Sequence, residues 1–182
     1  MTETAVARSG DTLRQTGEAY VLHSYPYKET SLLVEAFTRD YGRITLVAKS
    51  ARRPRSAMRG MLMAFQPLSL AWMGRGEIKT LTKAEWQGGV GLLRGKALLC
   101  GFYLNELLMR LLAREDAHEY LFDQYAISMR DLSLEMPPAP VLRRFEKALL
   151  GASGYGLILD RDALTGDKID AGRKYTYHPE KG

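Results

Sequence analysis

Cysteine is almost missing from this sequence of 182 residues, in which Cys100 stands alone. A single cysteine can form neither an internal disulfide nor a zinc site built from several cysteine ligands. Cys100 lies in the apolar stretch 98–101, so we predict that its thiol is packed rather than reactive. The fold is therefore expected to depend on its apolar core.

Long apolar runs are missing as well. No stretch approaches the roughly 18 consecutive apolar residues of a membrane-spanning helix. Residues 1–16 also lack the apolar run of a secretory signal. Apolar residues at 46% and charged residues at 26% match ordinary globular proteins. These features argue against a spanning helix and a largely disordered chain, and they predict a cytoplasmic protein.

Acidic side chains are absent between Tyr41 and Gly76, although the net charge of the whole chain is only +5. The basic residues of that segment are Arg43, Lys49, Arg52, Arg53, Arg55, Arg59 and Arg75. Like charges without counter-charges repel one another, so we expect a polyanion to lie against them. A solvated loop without a partner is the alternative.

Short strand-like runs alternate with turn residues through the first half of the chain. Five strands are predicted, at Ala19–Ser24, Ser31–Thr38, Ile44–Ala48, Leu68–Trp72 and Thr80–Glu85. Five short strands bury their apolar residues best by closing into a small barrel, most commonly an oligonucleotide-binding (OB) barrel. An SH3-like barrel is the close alternative. The long gap from Lys49 to Pro67 holds most of the positive charge.

The apolar period becomes helical in the second half. Three amphipathic helices are predicted, around Leu98–Leu111, Leu121–Leu132 and Leu142–Ala152. The sequence thus indicates an α+β chain with a flexible N-terminal tail (1–16), an OB barrel (17–95) and a helical domain (96–182).

No constellation of catalytic residues is visible. His23, His118 and His178 lie in three separate regions, without the carboxylate or cysteine spacing of a metal site or a catalytic triad. Neither of the common glycine-rich phosphate-binding motifs occurs. We expect no enzyme activity and no cofactor.

Aromatic residues are interleaved with the basic residues of the first half, which is typical of proteins that bind single-stranded nucleic acid. We predict that Phe37, Phe65 and Trp72 fill the barrel core. Tyr25, Tyr27 and Tyr41 lie near predicted turns and are better placed to stack on bases.

A series of short motifs closely resembles the bacterial recombination mediator family RecO. In the first half they are Val21-Leu22-His23-Ser24, Lys28-Glu29-Thr30-Ser31-Leu32, Gly42-Arg43, Val47-Ala48-Lys49-Ser50-Ala51-Arg52, Phe65-Gln66-Pro67-Leu68 and Gly74-Arg75-Gly76-Glu77 with Lys79-Thr80-Leu81. In the second half they are Tyr103-Leu104-Asn105-Glu106-Leu107, Leu142-Arg143-Arg144-Phe145-Glu146 with Leu149-Leu150-Gly151, and Gly154-Tyr155-Gly156. Their order is that of the family, and together they cover roughly Gly17 to Gly182.

The resemblance implies an OB barrel followed by a helical domain. It also implies a nucleoid-associated protein that binds single- and double-stranded DNA and anneals complementary strands. Such a protein helps to load recombinase at gaps coated with single-strand-binding protein. The implied partners are RecR and the acidic, phenylalanine-ended tail of single-strand-binding protein. The segment with positive charge would contact the DNA.

The resemblance places the tail-binding site on Leu142, Arg143, Arg144, Phe145 and Leu149. The apolar side chains would take the phenylalanine ring, and an arginine would pair with the terminal carboxylate. Many members carry a zinc site with four cysteines in the helical domain. The corresponding stretch here, Leu157–Tyr177, has no cysteine, so we expect no zinc. Members also usually extend past the point matching Lys181-Gly182, so the helical domain is expected to be shortened at its C-terminus.

Two other functions compete. Arg55-Ser56-Ala57-Met58-Arg59 has the R-x-x-x-R spacing that PilZ-type barrels use to bind cyclic di-GMP, but the D/N-x-S-x-x-G element that accompanies it is missing. An RNA-binding accessory factor is the other alternative, since a basic barrel does not by itself select one polymer.

Overall fold

Five strands close into a barrel in the computed structural model, which describes residues 14–156, 160–162 and 164–176. The strands are β1 (Arg14–Tyr27), β2 (Ser31–Thr38), β3 (Gly42–Ala48), β4 (Leu68–Met73) and β5 (Ile78–Trp86). Their order around the barrel is β1-β2-β3-β5-β4, and β4 pairs again with β1. The β3–β5 pair is parallel and the other pairs are antiparallel. The predicted OB barrel is confirmed.

The first strand is long enough to pair on both sides. Its N-terminal half pairs with β4, from Arg14 opposite Met73 to Ala19 opposite Leu68. Its C-terminal half pairs with β2. The barrel therefore begins at least as early as Arg14, whereas the sequence assigned residues 14–16 to a flexible tail. Residues 1–13 of that predicted tail lie outside the described residues.

Alternate residues of each strand fill the barrel. Val34 and Ala36 of β2, Ile44 and Leu46 of β3, and Trp72 of β4 all lie in one buried cluster. Alternation places every second side chain on the same face, which is why β-rich runs with this pattern can close around a core. The interior position predicted for Trp72 is confirmed.

One short helix lies between β3 and β4, and three longer helices follow β5. They are α1 (Met58–Met61), α2 (Gly95–Leu111), α3 (Glu119–Ser133) and α4 (Pro138–Ala152). The last three correspond to the predicted amphipathic helices. α4 begins with a proline, where a backbone N–H would have no helical partner. No helix within the described residues is long and apolar enough to cross a membrane. Of the cysteine-free stretch 157–177, residues 160–162 and 164–176 are described, and they form no helix or strand beyond one isolated bridge between Arg161 and Lys168.

The helices pack on the outer face of β1 and β2. Tyr20 and Phe37 point away from the barrel interior and contact Phe122 and Tyr125 of α3, with ring centroids 5.0–6.2 Å apart. Phe37 and Phe65 are buried as predicted, but in this second core and not inside the barrel. Burial raises the pKa of Tyr20 to about 12, with the carboxylate of Glu18 adding to the shift.

Polar contacts fix the same junction. The Tyr125 hydroxyl donates to Asn105 Oδ1 at 2.6 Å, and Asn105 Nδ2 donates to the Leu22 carbonyl at 2.8 Å. Gly42 has φ +65°, and a Cβ there would lie 1.9 Å from the carbonyl oxygen of Asp116. Only glycine permits both this backbone conformation and this close approach. The helices thus cover the outer face of β1 and β2 that an isolated OB barrel would leave open.

Candidate nucleic-acid interface

The segment after β3 is an ordered loop anchored at both ends. The Arg52 N–H donates to the Thr30 carbonyl at 2.8 Å, and the Arg53 N–H donates to the Ser50 carbonyl at 3.1 Å. Ala51 and Leu62 are buried against the barrel core. With the backbone satisfied and the small apolar side chains inside, the long polar side chains between them remain outside. We call residues 49–59 the basic loop.

The cationic side chains of the basic loop have no acidic partners nearby. Its charged members, all exposed, are Lys49, Arg52, Arg53, Arg55 and Arg59. In the part of the chain that the structure describes, no carboxylate lies within ion-pair distance of any of them. Their positive charge is therefore directed towards solvent, where an anion can reach it.

Arg52 also joins the basic loop to the β1–β2 turn. Its Nη1 lies 3.4 Å from the Lys28 carbonyl oxygen and 3.3 Å from that of Glu29, and donates to both. A guanidinium has five N–H donors, so this contact leaves others available. The contact holds the exposed Lys28 and Glu29 beside the loop, so the turn adds one positive and one negative charge there.

Arg43 lies apart from this surface. Its side chain is 12% exposed, with Nη1 3.4 Å from Glu35 Oε2 and Nε donating to the Leu112 carbonyl at 3.2 Å. The guanidinium is therefore engaged at the junction between barrel and helices. The sequence grouped Arg43 with the phosphate contacts, but its position in β3, opposite Phe37, directs it towards the helices.

Glu35 is the centre of a buried charge cluster at that junction. Its Oε1 accepts hydrogen bonds from Thr45 Oγ1 at 3.0 Å and Arg114 Nη2 at 2.9 Å, while Oε2 faces Arg43. The residue is 3% exposed. Burying a carboxylate is tolerated only when such partners compensate for the lost water.

Arg75 is exposed on the turn between β4 and β5. Because β4 runs from Leu68 to Met73, this turn lies at the far end of β4 from the exit of the basic loop. The structure thus brings five of the seven predicted cations together and separates Arg43 and Arg75 from them.

The aromatic residues predicted to stack on bases also differ in their exposure. Tyr25 is exposed beside the β1–β2 turn, with its ring centroid 4.3 Å from that of His23. Tyr27 and Tyr41 are half-buried, and Tyr41 packs edge-on against Trp72 at 5.1 Å. The sequence reasoning missed Trp86. This residue directly follows the predicted strand Thr80–Glu85 and was not considered as a surface for base stacking. It is 58% exposed. The run Gln87-Gly88-Gly89 directly after it was the available signal that the chain leaves the barrel there.

The predicted tail-binding residues lie on α4 but do not form one pocket. Phe145 and Leu149 are fully buried in the core, where the Phe145 ring faces Tyr125 at 6.0 Å. Leu142 is half-buried. The exposed Arg143 pairs with Glu146 at 2.5 Å, and Arg144 pairs with Asp131. Since both bulky apolar residues face inwards, they cannot take up a partner's ring as the sequence reasoning expected.

An open groove of about 650 Å³ lies beside these residues instead, between α3 and α4. Its lining includes Tyr120 and Leu121 from α3, and Arg144, Lys147 and Ala148 from α4. Its lining also contains Glu119, so the groove combines apolar walls with two cations and one carboxylate.

Chemistry at other sites is limited. Within the described residues, no three His, Cys, Asp or Glu side chains are grouped so that they could hold a metal ion. His118 Nε2 lies 3.1 Å from Asp116 Oδ2 on the α2–α3 connection. Cys100 is half-buried and packs against the helical core.

Comparisons with known proteins cover both halves of the chain. Residues 13–89 match the family described as "Recombination protein O N terminal", and residues 92–180 match "Recombination protein O C terminal". DNA repair protein RecO of Dechloromonas aromatica is 60% identical over 168 residues, which cover 90% of this chain and 69% of the relative. DNA repair protein RecO of Azoarcus sp. is 57% identical over 164 residues, covering 90% and 68%. DNA repair protein RecO of Ralstonia nicotianae is 55% identical over 164 residues, covering 90% and 60%.

Proposed function

Because this chain belongs to the RecO family of DNA repair proteins, we propose that its basic loop binds the phosphate backbone of DNA. The observation that carries the proposal is that five exposed cations lie on one ordered loop and none of them has a carboxylate within ion-pair distance among the described residues. Guanidinium groups match phosphate geometry and remain charged at all physiological pH values. Arg75 lies on a separate turn and is expected to contribute less. Arg43 is left out of the proposed contact surface.

The proposed mechanism is electrostatic and needs no covalent step. Each phosphate that a Lys or Arg neutralises releases condensed counterions, which favours binding without regard to sequence. The same surface serves single- and double-stranded DNA. When two complementary single strands lie on it, their mutual repulsion falls and base pairing drives annealing.

Family membership is also the basis for proposing a mediator role and its partners. We propose that the protein promotes recombinase loading at gaps coated with single-strand-binding protein, together with RecR, and that it works in the cytoplasm on the nucleoid. The support for these statements is membership of the family and the exposed cations of the basic loop.

Salt dependence tests the proposed DNA binding. If the five cations of the basic loop each contact a phosphate, the logarithm of the affinity for single-stranded DNA should fall with log[salt] at a slope of roughly −3.5. Annealing of complementary oligonucleotides should slow over the same salt range. Fluorescence anisotropy and a strand-annealing assay measure the two effects. A flat salt response, or a strong preference for RNA in direct competition, would contradict the proposal.

We also propose that the groove between α3 and α4 receives the acidic, phenylalanine-ended tail of single-strand-binding protein. The ring would lie against the exposed Tyr120 and against Ala148, and the carboxylates would face Arg144 and Lys147, with Arg143 next to Arg144 in the chain. This keeps Arg143 and Arg144 as anion contacts, while Phe145 and Leu149 support the groove from the core. An open apolar groove beside cations is what such a peptide requires.

Charge reversal on α4 tests the tail site. Arg143→Glu and Lys147→Glu should each weaken binding of a tail peptide at least about tenfold, because a repulsive carboxylate replaces a cation. Isothermal titration with the peptide measures this effect. Affinity for bare DNA should stay at the original value, since α4 lies apart from the basic loop. Loss of both activities together would mean that the substitution disturbed the fold and that the separate site is not supported.

A further inference from the structure

An apolar groove of about 470 Å³ opens where the basic loop ends. Its lining includes Met61 and Met63, two and four residues after Arg59 in the chain, and Trp86 at the end of β5. Val90 and Leu92, from the connection to α2, line it as well. Met61, Met63, Trp86 and Leu92 are all exposed large apolar side chains. Contiguous exposed apolar surface of this kind commonly marks a binding site.

Trp86 is held in a fixed orientation despite its exposure. Its indole Nε1 donates to Gln66 Oε1 at 3.2 Å, and Gln66 is itself buried. A ring fixed in this way loses little conformational freedom when a ligand stacks on it. The groove therefore offers a flat aromatic surface that is already in place.

The rim of the groove determines which ligand fits. Arg59 lies on the same single helical turn as Met61, and Arg55 lies four residues before Arg59. Arg59 directly precedes Gly60, which lines the groove, so a strand whose phosphates contact Arg59 would pass beside it. Apolar walls, an exposed indole and adjacent cations together match a single strand, in which bases stack and phosphates pair. In a duplex the bases are already stacked and paired, so they cannot enter.

We propose that Trp86, Met61 and Met63 bind an unstacked nucleobase of a single strand whose phosphates lie on the basic loop. This inference rests on the proposed DNA binding and extends it, since it gives the protein a means of distinguishing single strands from duplex. The alternative occupants of this groove are an acidic peptide and a second copy of this chain, and neither would place a base on Trp86.

Intrinsic fluorescence provides a direct readout. Trp72 is fully buried in the barrel, whereas Trp86 is exposed, so changes on adding DNA report chiefly on Trp86. We expect an oligothymidylate to quench the emission and to protect it from acrylamide. An oligonucleotide of equal length built from abasic sites has the same phosphates and should bind through the basic loop without quenching.

Variants at Trp86 separate stacking from phosphate binding. Trp86→Ala should weaken oligothymidylate binding by about 5- to 150-fold, the range measured for one base stacked on an aromatic ring. Affinity for the abasic strand and for duplex should not change. Trp86→Phe should retain most of the affinity and Trp86→Leu should lose it, which excludes a purely hydrophobic or structural effect. Tyr155→Ala, at an exposed aromatic residue three positions beyond the C-terminal end of α4, is the matched control and should have no effect.

The outcomes distinguish this inference from the function on which it depends. Equal affinity for base-bearing and abasic strands, or unchanged binding by Trp86→Ala, overturns the base site while leaving the phosphate surface intact. Failure of both strands to bind overturns the proposed DNA binding itself. Loss of self-association in Trp86→Ala, with DNA affinity preserved, would assign the groove to a second copy and overturn the inference.

Discussion

Replacing Arg53, Arg55 and Arg59 together with alanine is expected to weaken binding of single-stranded DNA roughly a hundredfold at 0.1 M salt. Each lost phosphate contact removes about 0.7 of a decade there, and the slope of log affinity against log[salt] should flatten by about 2. All three side chains are exposed and lie outside both apolar cores. The thermal stability should therefore remain within the small range typical of surface substitutions.

A matched control for this variant is Arg110→Ala. Arg110 is as exposed as the loop arginines but lies on α2, where it pairs with Glu106. Its removal changes the net charge without touching the basic loop, so the salt slope should stay at the original value. If Arg110→Ala weakened binding as much per charge as the triple variant does, DNA binding would depend on net charge alone and not on the loop. Anisotropy titrations at four or more salt concentrations decide between these results.

Replacing Glu35 with alanine is expected to lower the free energy of unfolding by about 3–5 kcal/mol. The substitution leaves the guanidinium of Arg43 in a largely buried position without its carboxylate, and breaking a buried ion pair on one side costs about that much. Thr45 and Arg114 lose an acceptor at the same time. Urea denaturation followed by circular dichroism measures the change.

An exposed pair in the same barrel provides the comparison. Glu85→Ala removes the partner of Lys83 at 2.8 Å, but both side chains are more than half exposed. It should change the free energy of unfolding by less than about 1 kcal/mol, since water and salt screen such pairs. Glu35→Gln should fall between the two, because the amide keeps an acceptor for Thr45 and loses the charge. Equal effects of Glu35→Ala and Glu85→Ala would show that the buried cluster does not stabilise the junction.

Local patterns in the sequence were sufficient to predict the main elements. The β-rich run Ser31–Thr38, bounded by turn residues, predicted β2 with its observed bounds, and apolar residues at helical spacing predicted α2, α3 and α4 within a few residues. Strand length was underestimated at β1, whose first residues are polar. Those residues become a strand because β4 offers backbone partners to them, and that partner is distant in the chain.

The division of the arginines could not be predicted in the same way. Arg43 and Arg53 belong to one run without acidic residues, yet one is largely buried and the other is exposed. The difference depends on Glu35 across the sheet and on Leu112, which is 69 residues away in the chain. Similarly, helical spacing showed that Phe145 and Leu149 share a face of α4, but not whether that face meets α3 or a partner.

Because β2 is buried on both faces, its residues should tolerate substitution less well than those of the basic loop. Val34 and Ala36 pack inside the barrel while Glu35 and Phe37 pack against the helices, so neither side of the strand tolerates substitution without a cost in folding. The exposed arginines of the basic loop do not pack against a core on either side. Arginines can be gained or lost there one at a time, so natural variation could adjust the proposed affinity for nucleic acid while the underlying fold stays the same.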